Sequence, residues 1–226
     1  MRTSILFIVL TLASVERATA SPAGEVMVVP ENGDGRGVAI AADGTRYLAG
    51  GTAIPDSDER QPFLIALDPS GQVRWRLDWQ GHGQVVGVAA TPAGPVVIVR
   101  MRSTNFDADP GPDVLSVEDR DGRSAVAVAL SPAGDVRWAW STPRATLAVL
   151  ATLPDGAVAI AGTSLDAVGF VAAIDGDGST TWLRTLGKPA ATPYAIAVTD
   201  AAIYVTGTGA APARRVPGSF LARLDL

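Results

Sequence analysis

A motif of thirteen residues occurs three times in this sequence, and its first half occurs a fourth time at the end. The first copy reads FLIALDPSGQVRW, and the four copies span Phe63–Trp75, Val126–Trp138, Phe170–Trp182 and Phe220–Leu226. A second repeated segment, of the type VAIAADGTRYLAGGT, precedes each copy. Repetition at intervals of tens of residues indicates one supersecondary unit that is used several times. We therefore expect an array of similar units.

The repeated segments have the composition of β-strands. Short runs rich in Val and Ile are bounded by turn sequences such as Asp43-Gly44, Asp155-Gly156 and Asp177-Gly178. Runs of this kind predict β-hairpins, and no apolar helical period lasts long enough to compete. We assign four strands, A to D, to each unit. The units cover about 37–80, 84–141, 145–187 and 193–226.

The spacing of the repeats favours a radial arrangement. The connection from the Trp of one unit to the first turn of the next is nearly constant, at 19, 18 and 19 residues: Trp75 to Gly94, Trp138 to Gly156 and Trp182 to Ala201. The loop within a unit varies in length. A fixed link between units with a variable loop inside them predicts an all-β, four-bladed β-propeller. A β-sandwich gives no reason for repetition, and the units are long for a solenoid coil.

The two ends of the sequence supply the parts of one blade. The fourth unit stops at Leu226 after strand C, and residues 25–29 (EVMVV) form an apolar segment with no strands before it. We expect residues 25–29 to be strand D of the last blade, because this pairing closes the ring and covers a free sheet edge. A half-ring that pairs with a second copy is the alternative, and the sequence leaves it open.

The first twenty residues have the features of a secretory signal peptide. Arg2 gives a charged start, Ile5–Leu12 is predominantly apolar, and Ala18-Thr-Ala20 is a small-residue cleavage sequence. We therefore expect a single β-propeller domain over residues 21–226. It should be exported, as a secreted, periplasmic or cell-surface protein, and should not insert into the membrane after cleavage.

Charge and cysteine content exclude several classes of function. The net charge is −5, and removal of residues 1–20 would make it −6, so we expect no binding to nucleic acid. The sequence contains no cysteine. Thiolate metal sites, a Cys nucleophile and c-type haem attachment are therefore excluded. A chain of this length can bury a sufficient core without disulfides.

The units resemble the bacterial secreted β-propeller repeats (SBBP-like, of the seven-bladed type). Matching residues in the first unit are Tyr47, Gly50, Phe63, Leu67, Asp68, Gly71 and Trp75. Those in the third unit are Phe170, Ile174, Asp175, Gly178 and Trp182, and those in the fourth are Tyr204, Gly207, Phe220, Leu224 and Asp225. The second unit departs from the pattern at Val126 and Ser131, although its insertion at 105–111 looks like a loop of these repeats. The resemblance covers 26–226 and implies the propeller fold, but little about function.

One insertion carries a dense group of carboxylates. Asp107, Asp109 and Asp113 could supply oxygen ligands to calcium, and Asn105 could add a carbonyl. The alternative is a solvated loop in which Asp favours the turns themselves. Another segment, Asp175-Gly-Asp-Gly-Ser179, starts like a calcium-binding loop, but it occupies the C–D turn of the repeat and is interpreted as a hairpin turn.

Histidine and tryptophan offer few sites for chemistry. The only histidine, His82, lies between two glycines, and we expect it on a surface loop rather than in a triad or metal site. Three tryptophans share one repeat position and should pack between adjacent sheets: Trp75, Trp138 and Trp182. Trp79 and Trp140 lie outside this pattern and are the better candidates for an exposed stacking surface, although we expect a structural role for them first.

Glycine recurs at one position of strand B, as Gly50, Gly162 and Gly207. We interpret these residues as space for the close approach of sheets near the ring axis. A phosphate-binding loop is excluded, because no strand–helix context surrounds them.

These observations predict a non-enzymatic binding or interaction module with a protein or glycan partner. The loops 53–62 and 102–123 are the most variable and are the expected contact regions. The alternatives are a carbohydrate-active enzyme, a lyase or hydrolase with rim carboxylates, and a structural part of a surface assembly. An enzyme should show two convergent carboxylates or a basic–acidic cluster in one pocket. A lectin-like binder should show an exposed Trp beside polar groups, and a structural component an apolar patch or an open edge.

Overall fold

The computed structural model describes residues 33–101, 105–111, 115–118, 125–141, 145–164, 166–186, 191–210 and 217–226. These residues form seventeen strands: β1 (Gly33–Ile40), β2 (Arg46–Ala53), β3 (Arg60–Leu67), β4 (Val73–Asp78), β5 (Gly83–Thr91), β6 (Gly94–Met101), β7 (Asn105–Asp107), β8 (Ser116–Glu118), β9 (Ala125–Leu130), β10 (Val136–Trp140), β11 (Ala145–Thr152), β12 (Val158–Ser164), β13 (Gly169–Ile174), β14 (Thr180–Thr185), β15 (Ala191–Val198), β16 (Ala202–Ala210) and β17 (Pro217–Asp225). Within the described ranges no helix is long and apolar enough to cross a membrane.

The strands form four antiparallel sheets in chain order. Sheet 1 has the order β1-β2-β3-β4, sheet 2 the order β5-β6-β9-β10, sheet 3 the order β11-β12-β13-β14 and sheet 4 the order β15-β16-β17. A small hairpin, β7-β8, lies in the loop between the second and third strands of sheet 2. The predicted order A to D is thus confirmed in three sheets. The expected fourth strand of sheet 4, residues 25–29, lies outside the described residues, as does the expected signal peptide, residues 1–20.

Consecutive sheets pack face to face through apolar layers. The layer between sheets 1 and 2 includes Tyr47, Leu64, Val85, Val97, Val128 and Leu130. The layer between sheets 2 and 3 includes Ile98, Ala127, Leu147, Ile160 and Ile174, and that between sheets 3 and 4 includes Ala161, Val171, Ile203, Val205 and Leu224. Burial of each large side chain stabilises the fold by about 1.5–3 kcal/mol, so these layers hold the array together.

The repeat tryptophans join neighbouring sheets, as the sequence predicts. The indole N–H of Trp75 on β4 donates to the carbonyl oxygen of Pro132 in the β9–β10 turn at 2.9 Å. The indole of Trp75 lies against Gly134 of the same turn, where a Cβ atom would approach the ring to 3.2 Å. The third repeat tryptophan, Trp182, is half-buried in the layer between sheets 3 and 4. Apolar packing alone does not fix how two sheets are oriented, and the hydrogen bond from Trp75 adds a preferred geometry to the joint.

The recurring strand-B glycines have a different reason from the one predicted. A Cβ atom on Gly162 would overlap the carbonyl oxygen of Thr146 and lie 2.8 Å from Cζ of Phe170, both in the same sheet. The close approach is therefore within a sheet, and the expectation of an approach between sheets is wrong. Each glycine pairs across the strands with a phenylalanine: Gly50 with Phe63, Gly162 with Phe170 and Gly207 with Phe220. Sheet 2 has the pair Val99 and Val126 instead, which replaces a small and a large residue by two of medium size.

Within the described part of the chain, sheet 1 and sheet 4 share no apolar cluster. On the face of sheet 1 that points away from sheet 2, Val38 and Ile40 of β1 are 65% and 67% exposed, whereas Phe63, Ile65 and Leu67 of β3 are buried. Leu221 on the face of sheet 4 that points away from sheet 3 is 73% exposed. The predicted closure of the ring is thus not seen in these residues, and it stays a prediction.

Candidate functional site

All four sheets contribute to one open cavity of about 1020 Å³, here called the inner cavity. Its walls come mainly from the first strands of the sheets, with additions from β6, β12 and the connection that leads into β3. The residues that line it are Arg36, Asp58, Glu59, Arg60, Gly83, Gln84, Arg100, Thr146, Ala148, Val149, Thr163, Thr192, Pro193 and Tyr194. Because residues of all four sheets meet around it, the inner cavity is the candidate binding site.

A β-bulge in the first strand of every sheet shapes this cavity. The register shifts lie between Gly35 and Gly37, Val85 and Gly87, Leu147 and Val149, and Pro193 and Ala195. Each bulge inserts one extra residue: Arg36, Val86, Ala148 and Tyr194. A bulge re-aims side chains and bends its strand, and three of these extra residues line the cavity. The repeat therefore presents one variable residue per sheet at the same place.

The cavity wall on sheet 1 carries a mixed cluster of charges. Arg36 Nη2 lies 2.7 Å from Asp34 Oδ2, and Arg60 Nε lies 3.8 Å from Asp34 Oδ1. Glu59 contacts His82 from the link between sheets 1 and 2. These side chains are partly exposed, so each pair contributes at most about 1 kcal/mol to stability. Their guanidinium and carboxylate groups remain within reach of a ligand.

Hydroxyl groups line the opposite wall. Thr146 Oγ1 donates to the carbonyl oxygen of Thr163 at 3.2 Å, and Thr163 Oγ1 donates to that of Ala191 at 3.0 Å. Thr208 Oγ1 donates to the hydroxyl oxygen of Tyr194 at 3.4 Å. The threonine oxygens that have donated their protons keep lone pairs, and the exposed tyrosine hydroxyl can still donate. The cavity thus offers both donors and acceptors to a polar ligand.

One of the two predicted contact loops belongs to this site. Loop 53–62 brings Asp58, Glu59 and Arg60 to the cavity. Its turn is held by hydrogen bonds from the Ile54 amide to Glu59 O at 3.2 Å and from the Ser57 amide to Ile54 O at 3.2 Å. The second loop, 102–123, is described only at 105–111 and 115–118, and these residues do not line the inner cavity.

The described part of the second loop covers a tryptophan. Trp79 is fully buried, and its indole N–H donates to the carbonyl oxygen of Ala108 at 3.0 Å. Trp140 is half-buried and donates to Thr180 Oγ1 of sheet 3 at 2.9 Å. Trp79 therefore has the structural role that we expected first, and the alternative of an exposed stacking surface is wrong for it. The insertion in sheet 2 folds over Trp79, which lies just after β4. The repeat pattern did not predict this contact.

The carboxylates proposed for calcium hold backbone amides of their own loop. Asp107 Oδ1 accepts from the amides of Asp109 and Leu115 at 3.0 and 2.9 Å. Asp109 Oδ1 accepts from the amide of Gly111 at 2.8 Å. Asp113 lies outside the described residues, and in the described ranges no three His, Asp or Glu side chains are placed to hold a metal ion. The calcium site on Asp107, Asp109 and Asp113 stays a prediction.

Two further sequence interpretations are confirmed. His82 lies in the exposed link between β4 and β5. The segment that begins like a calcium-binding loop is the turn of the β13–β14 hairpin, in which Gly178 has a φ of +85°. Asp175 Oδ1 accepts from the amides of Asp177 and Ser179 at 3.0 and 2.8 Å. This carboxylate stabilises the turn.

The sequence reasoning missed most of the cavity. Arg36, Thr146, Thr192 and Tyr194 lie on strand A, the least conspicuous segment of the repeat. A signal was present, because alignment of the four A strands places Arg36 and Tyr194 at the same point. These residues gain significance only when the sheets are arranged around one space.

Four similar antiparallel sheets stacked in chain order around a shared cavity define a propeller-like repeat protein. No family model and none of the curated proteins match its sequence. Among solved structures, the chain is similar to a protein of unknown function from Bacteroides caccae, with a TM-score of 0.47 and 10% identity over 80% of this chain and 55% of that one. It is also similar to the Pan2 WD40 domain of Neurospora crassa, with a TM-score of 0.47 and 9% identity over 85% of this chain and 63% of that one. The chain therefore spans 55% and 63% of the lengths of these two proteins.

Proposed function

We propose that this protein is an exported β-propeller that works as a non-catalytic binding module. The observation that carries the proposal is that all four sheets contribute to the inner cavity. A ligand bound there would contact every repeat at once. Propeller folds host many activities, so the proposal depends on this site and not on the fold.

A saccharide is the ligand class that suits the lining best. Sugar hydroxyls need donors and acceptors in alternation, and the threonine and tyrosine hydroxyls, Gln84 and the carboxylates provide both. Arg60 and Arg100 add guanidinium groups, which bind carboxylates in bidentate geometry. We therefore propose a glycan that carries acidic sugars. Acidic glycans occur at cell surfaces and outside cells, and export would bring the protein to them. The expectation of export depends on residues 1–20, which have the features of a signal peptide.

A glycan array tests this function directly. Purified protein without residues 1–20 should retain acidic oligosaccharides, and titration calorimetry should then give one site per cavity. Absence of binding to every acidic and neutral glycan on the array would count against the proposal. If a pull-down recovers a protein partner instead, the protein is still a binding module, but its ligand is a protein and not a glycan.

Specific residues also favour a second function. Asp58 and Glu59 lie in the same cavity as three arginines, and a basic–acidic cluster of this kind is what a lyase or hydrolase would need. Assay of acidic polysaccharides for reducing ends and for unsaturated products would detect either reaction. Loss of turnover in Glu59→Gln with binding retained would establish the enzyme.

We further propose that the ring is completed by a joint between sheet 4 and sheet 1, with residues 25–29 as the fourth strand of sheet 4. Support comes from chain lengths. Four residues separate β4 from β5 and β10 from β11, and five separate β14 from β15. Only three residues separate Val29 from β1. Deletion of residues 21–30 should therefore lower the melting temperature sharply, and an unchanged melt would contradict the joint.

A further inference from the structure

The two sides of the inner cavity carry different chemistry at equivalent positions of the repeat. One such position is the cross-strand pair that begins two residues before each extra bulge residue. In sheets 2, 3 and 4 this pair is Gln84 and Arg100, Thr146 and Thr163, and Thr192 and Thr208. In sheet 1 it is Asp34 and Gly51. Sheets 1 and 2 therefore carry charged and amide groups where sheets 3 and 4 carry threonines.

The charges of the cavity lining follow the same division. Every charged residue of the lining belongs to sheets 1 and 2 or to the loop that leads into β3: Arg36, Asp58, Glu59, Arg60 and Arg100. We call this side the charged half. The other side, here called the hydroxyl half, has polar groups without charge from sheets 3 and 4: Thr146, Thr163, Thr192 and Tyr194. A ligand that fills the cavity therefore meets two unlike surfaces.

In the charged half, donors from two sheets lie side by side. Gln84 and Arg100 are cross-strand partners in sheet 2, and the Cβ atoms of such partners lie about 5 Å apart on one face. Arg60 of sheet 1 approaches Gln84 over Gly51, because a Cβ atom on Gly51 would lie 3.2 Å from Arg60 Cδ and 3.3 Å from Gln84 Cβ. The missing side chain at Gly51 thus lets a guanidinium group and an amide from neighbouring sheets meet.

The guanidinium group of Arg60 keeps donors for a ligand. Asp34 lies 2.7 Å from Arg36 but 3.8 Å from Arg60, and the longer distance exceeds that of a hydrogen bond. The carboxylate of Glu59, next to Arg60 in the chain, contacts His82. A planar guanidinium group binds a carboxylate in bidentate geometry. The charged half therefore suits the acidic group of a ligand.

Tyr194 gives the hydroxyl half an aromatic surface. It is the extra residue of the β15 bulge and is 63% exposed. Its hydroxyl oxygen accepts from Thr208 on β16 at 3.4 Å, which ties the ring to its own sheet. The face of an aromatic ring is the negative side of its quadrupole, so it packs well against the C–H groups of a neutral sugar and poorly against a carboxylate. Tyr194 therefore favours a neutral sugar in the hydroxyl half.

The size of the cavity allows one ligand to reach both halves. Its volume of about 1020 Å³ lies at the upper end of the range of about 300–1,000 Å³ for pockets that hold drug-sized ligands. We infer that the cavity contains two subsites and holds a short glycan in one direction, with an acidic sugar at Arg60, Gln84 and Arg100 and a neutral sugar stacked on Tyr194. This inference rests on the proposed binding function and specifies the kind of glycan that the site selects.

Three soluble saccharides distinguish the two subsites. Sialyllactose carries one terminal acidic sugar on two neutral ones, lactose is the neutral part alone, and trigalacturonate is acidic throughout. The protein without residues 1–20 would be titrated with each saccharide in a calorimeter. We expect sialyllactose to bind at least tenfold more tightly than either of the others, because it alone matches both subsites.

Variants at the two subsites test the assignment of residues. Tyr194→Ala should weaken the binding of sialyllactose about tenfold and that of trigalacturonate less, because the stacked neutral sugar is lost. Tyr194→Phe keeps the ring and should restore the affinity for sialyllactose. Arg60→Ala should weaken both acidic saccharides. Leu183→Ala changes an exposed residue of β14 outside the cavity and is the control, which should bind all three like the wild type. Melting temperatures would verify that each variant is folded.

Two outcomes would overturn the inference. If sialyllactose and trigalacturonate bind equally well and lose equally in Tyr194→Ala, the two subsites are refuted, while the proposed binding of acidic glycans stands. If none of the three saccharides binds, the inference also fails. The glycan array then decides separately whether the proposed function fails with it.

Discussion

The indole N–H of Trp138 donates to the carbonyl oxygen of Gly176 at 3.0 Å, across the boundary between sheets 2 and 3. The ring also lies against Gly178 of the same turn, where a Cβ atom would approach Trp138 Cγ to 2.8 Å. The same arrangement joins sheets 1 and 2 through Trp75. The repeated tryptophan thus fixes the position of sheet 2 on sheet 1 and of sheet 3 on sheet 2.

Removal of this hydrogen bond should weaken the array. We expect Trp138→Phe to lower the free energy of unfolding by about 1 kcal/mol or more, because the hydrogen bond is lost and the smaller phenyl ring fills less of the space between the sheets. Trp138→Ala should cost about 3–5 kcal/mol, because a cavity is also left between the sheets. Urea unfolding followed by circular dichroism would measure both. Trp182→Phe is the matched control, and an equal effect there would show that packing alone is responsible.

Gly162 on β12 should not tolerate a side chain. Gly162→Ala would place a Cβ atom against the Thr146 carbonyl and the Phe170 ring, so we expect a loss of more than about 2 kcal/mol of stability. Gly176→Ala is the control, because no atom lies within 4 Å of its Cβ position. Thermal melts of the two variants compare the costs. Equal melting temperatures would contradict the close approach.

Binding in the inner cavity should depend on its arginines. Arg60→Ala should weaken an acidic glycan at least tenfold, equivalent to about 1.4 kcal/mol, because a charge-assisted hydrogen bond is lost. Arg46→Ala removes an arginine of the same sheet that donates to Pro69 outside the cavity. Titration calorimetry should show unchanged affinity for this control. Equal losses in the two variants would place the ligand elsewhere.

Stability should fall in acid through two turn carboxylates. The backbone hydrogen bond from Thr45, with its hydroxyl and Arg74, lowers the pKa of Asp43. The hydroxyl of Ser70 and the amide of Gln72 lower the pKa of Asp68. A carboxyl group whose pKa is lowered by folding stabilises the native state above its unfolded pKa of about 3.9, and this stability is lost as the pH falls through the folded value.

Urea midpoints between pH 3 and 7 would check this dependence. Asp43→Asn and Asp68→Asn should each reduce stability at pH 7 and flatten its decline below pH 4. Asp177→Asn, a substitution in the β13–β14 turn, is a suitable comparison. An acid decline that is the same in wild type and in the Asp43 and Asp68 variants would assign the effect to other groups.

The predicted calcium site can be tested by measuring the melting temperature. If Asp107, Asp109 and Asp113 hold the ion, millimolar calcium should raise the melting temperature, and Asp109→Ala should abolish the rise. Magnesium at the same concentration is the control for ionic strength, since it demands a more rigid geometry. No rise with calcium would leave these carboxylates with the backbone hydrogen bonds described for Asp107 and Asp109.

Strands and turns could be predicted because their signals are local. The Asp177-Gly178 turn and the strands beside it depend on short stretches of sequence, and the structure confirms them. The burial of Trp79 could not be predicted. Its covering residue, Ala108, comes from an insertion that no other unit contains, and such a contact depends on how a loop folds back.

The sequence by itself determined a repeated unit, the four strands of each complete sheet and the tryptophan that packs between one sheet and the next. Periodicity and turn residues act within a few residues of each other, so a linear pattern is enough to reveal them. Only the tertiary structure decided that Arg36, Arg100, Thr163 and Tyr194 share a cavity and that Val38 and Leu221 are left uncovered. Those facts follow from the angle at which one sheet packs on another, which is set by contacts between residues far apart in the chain.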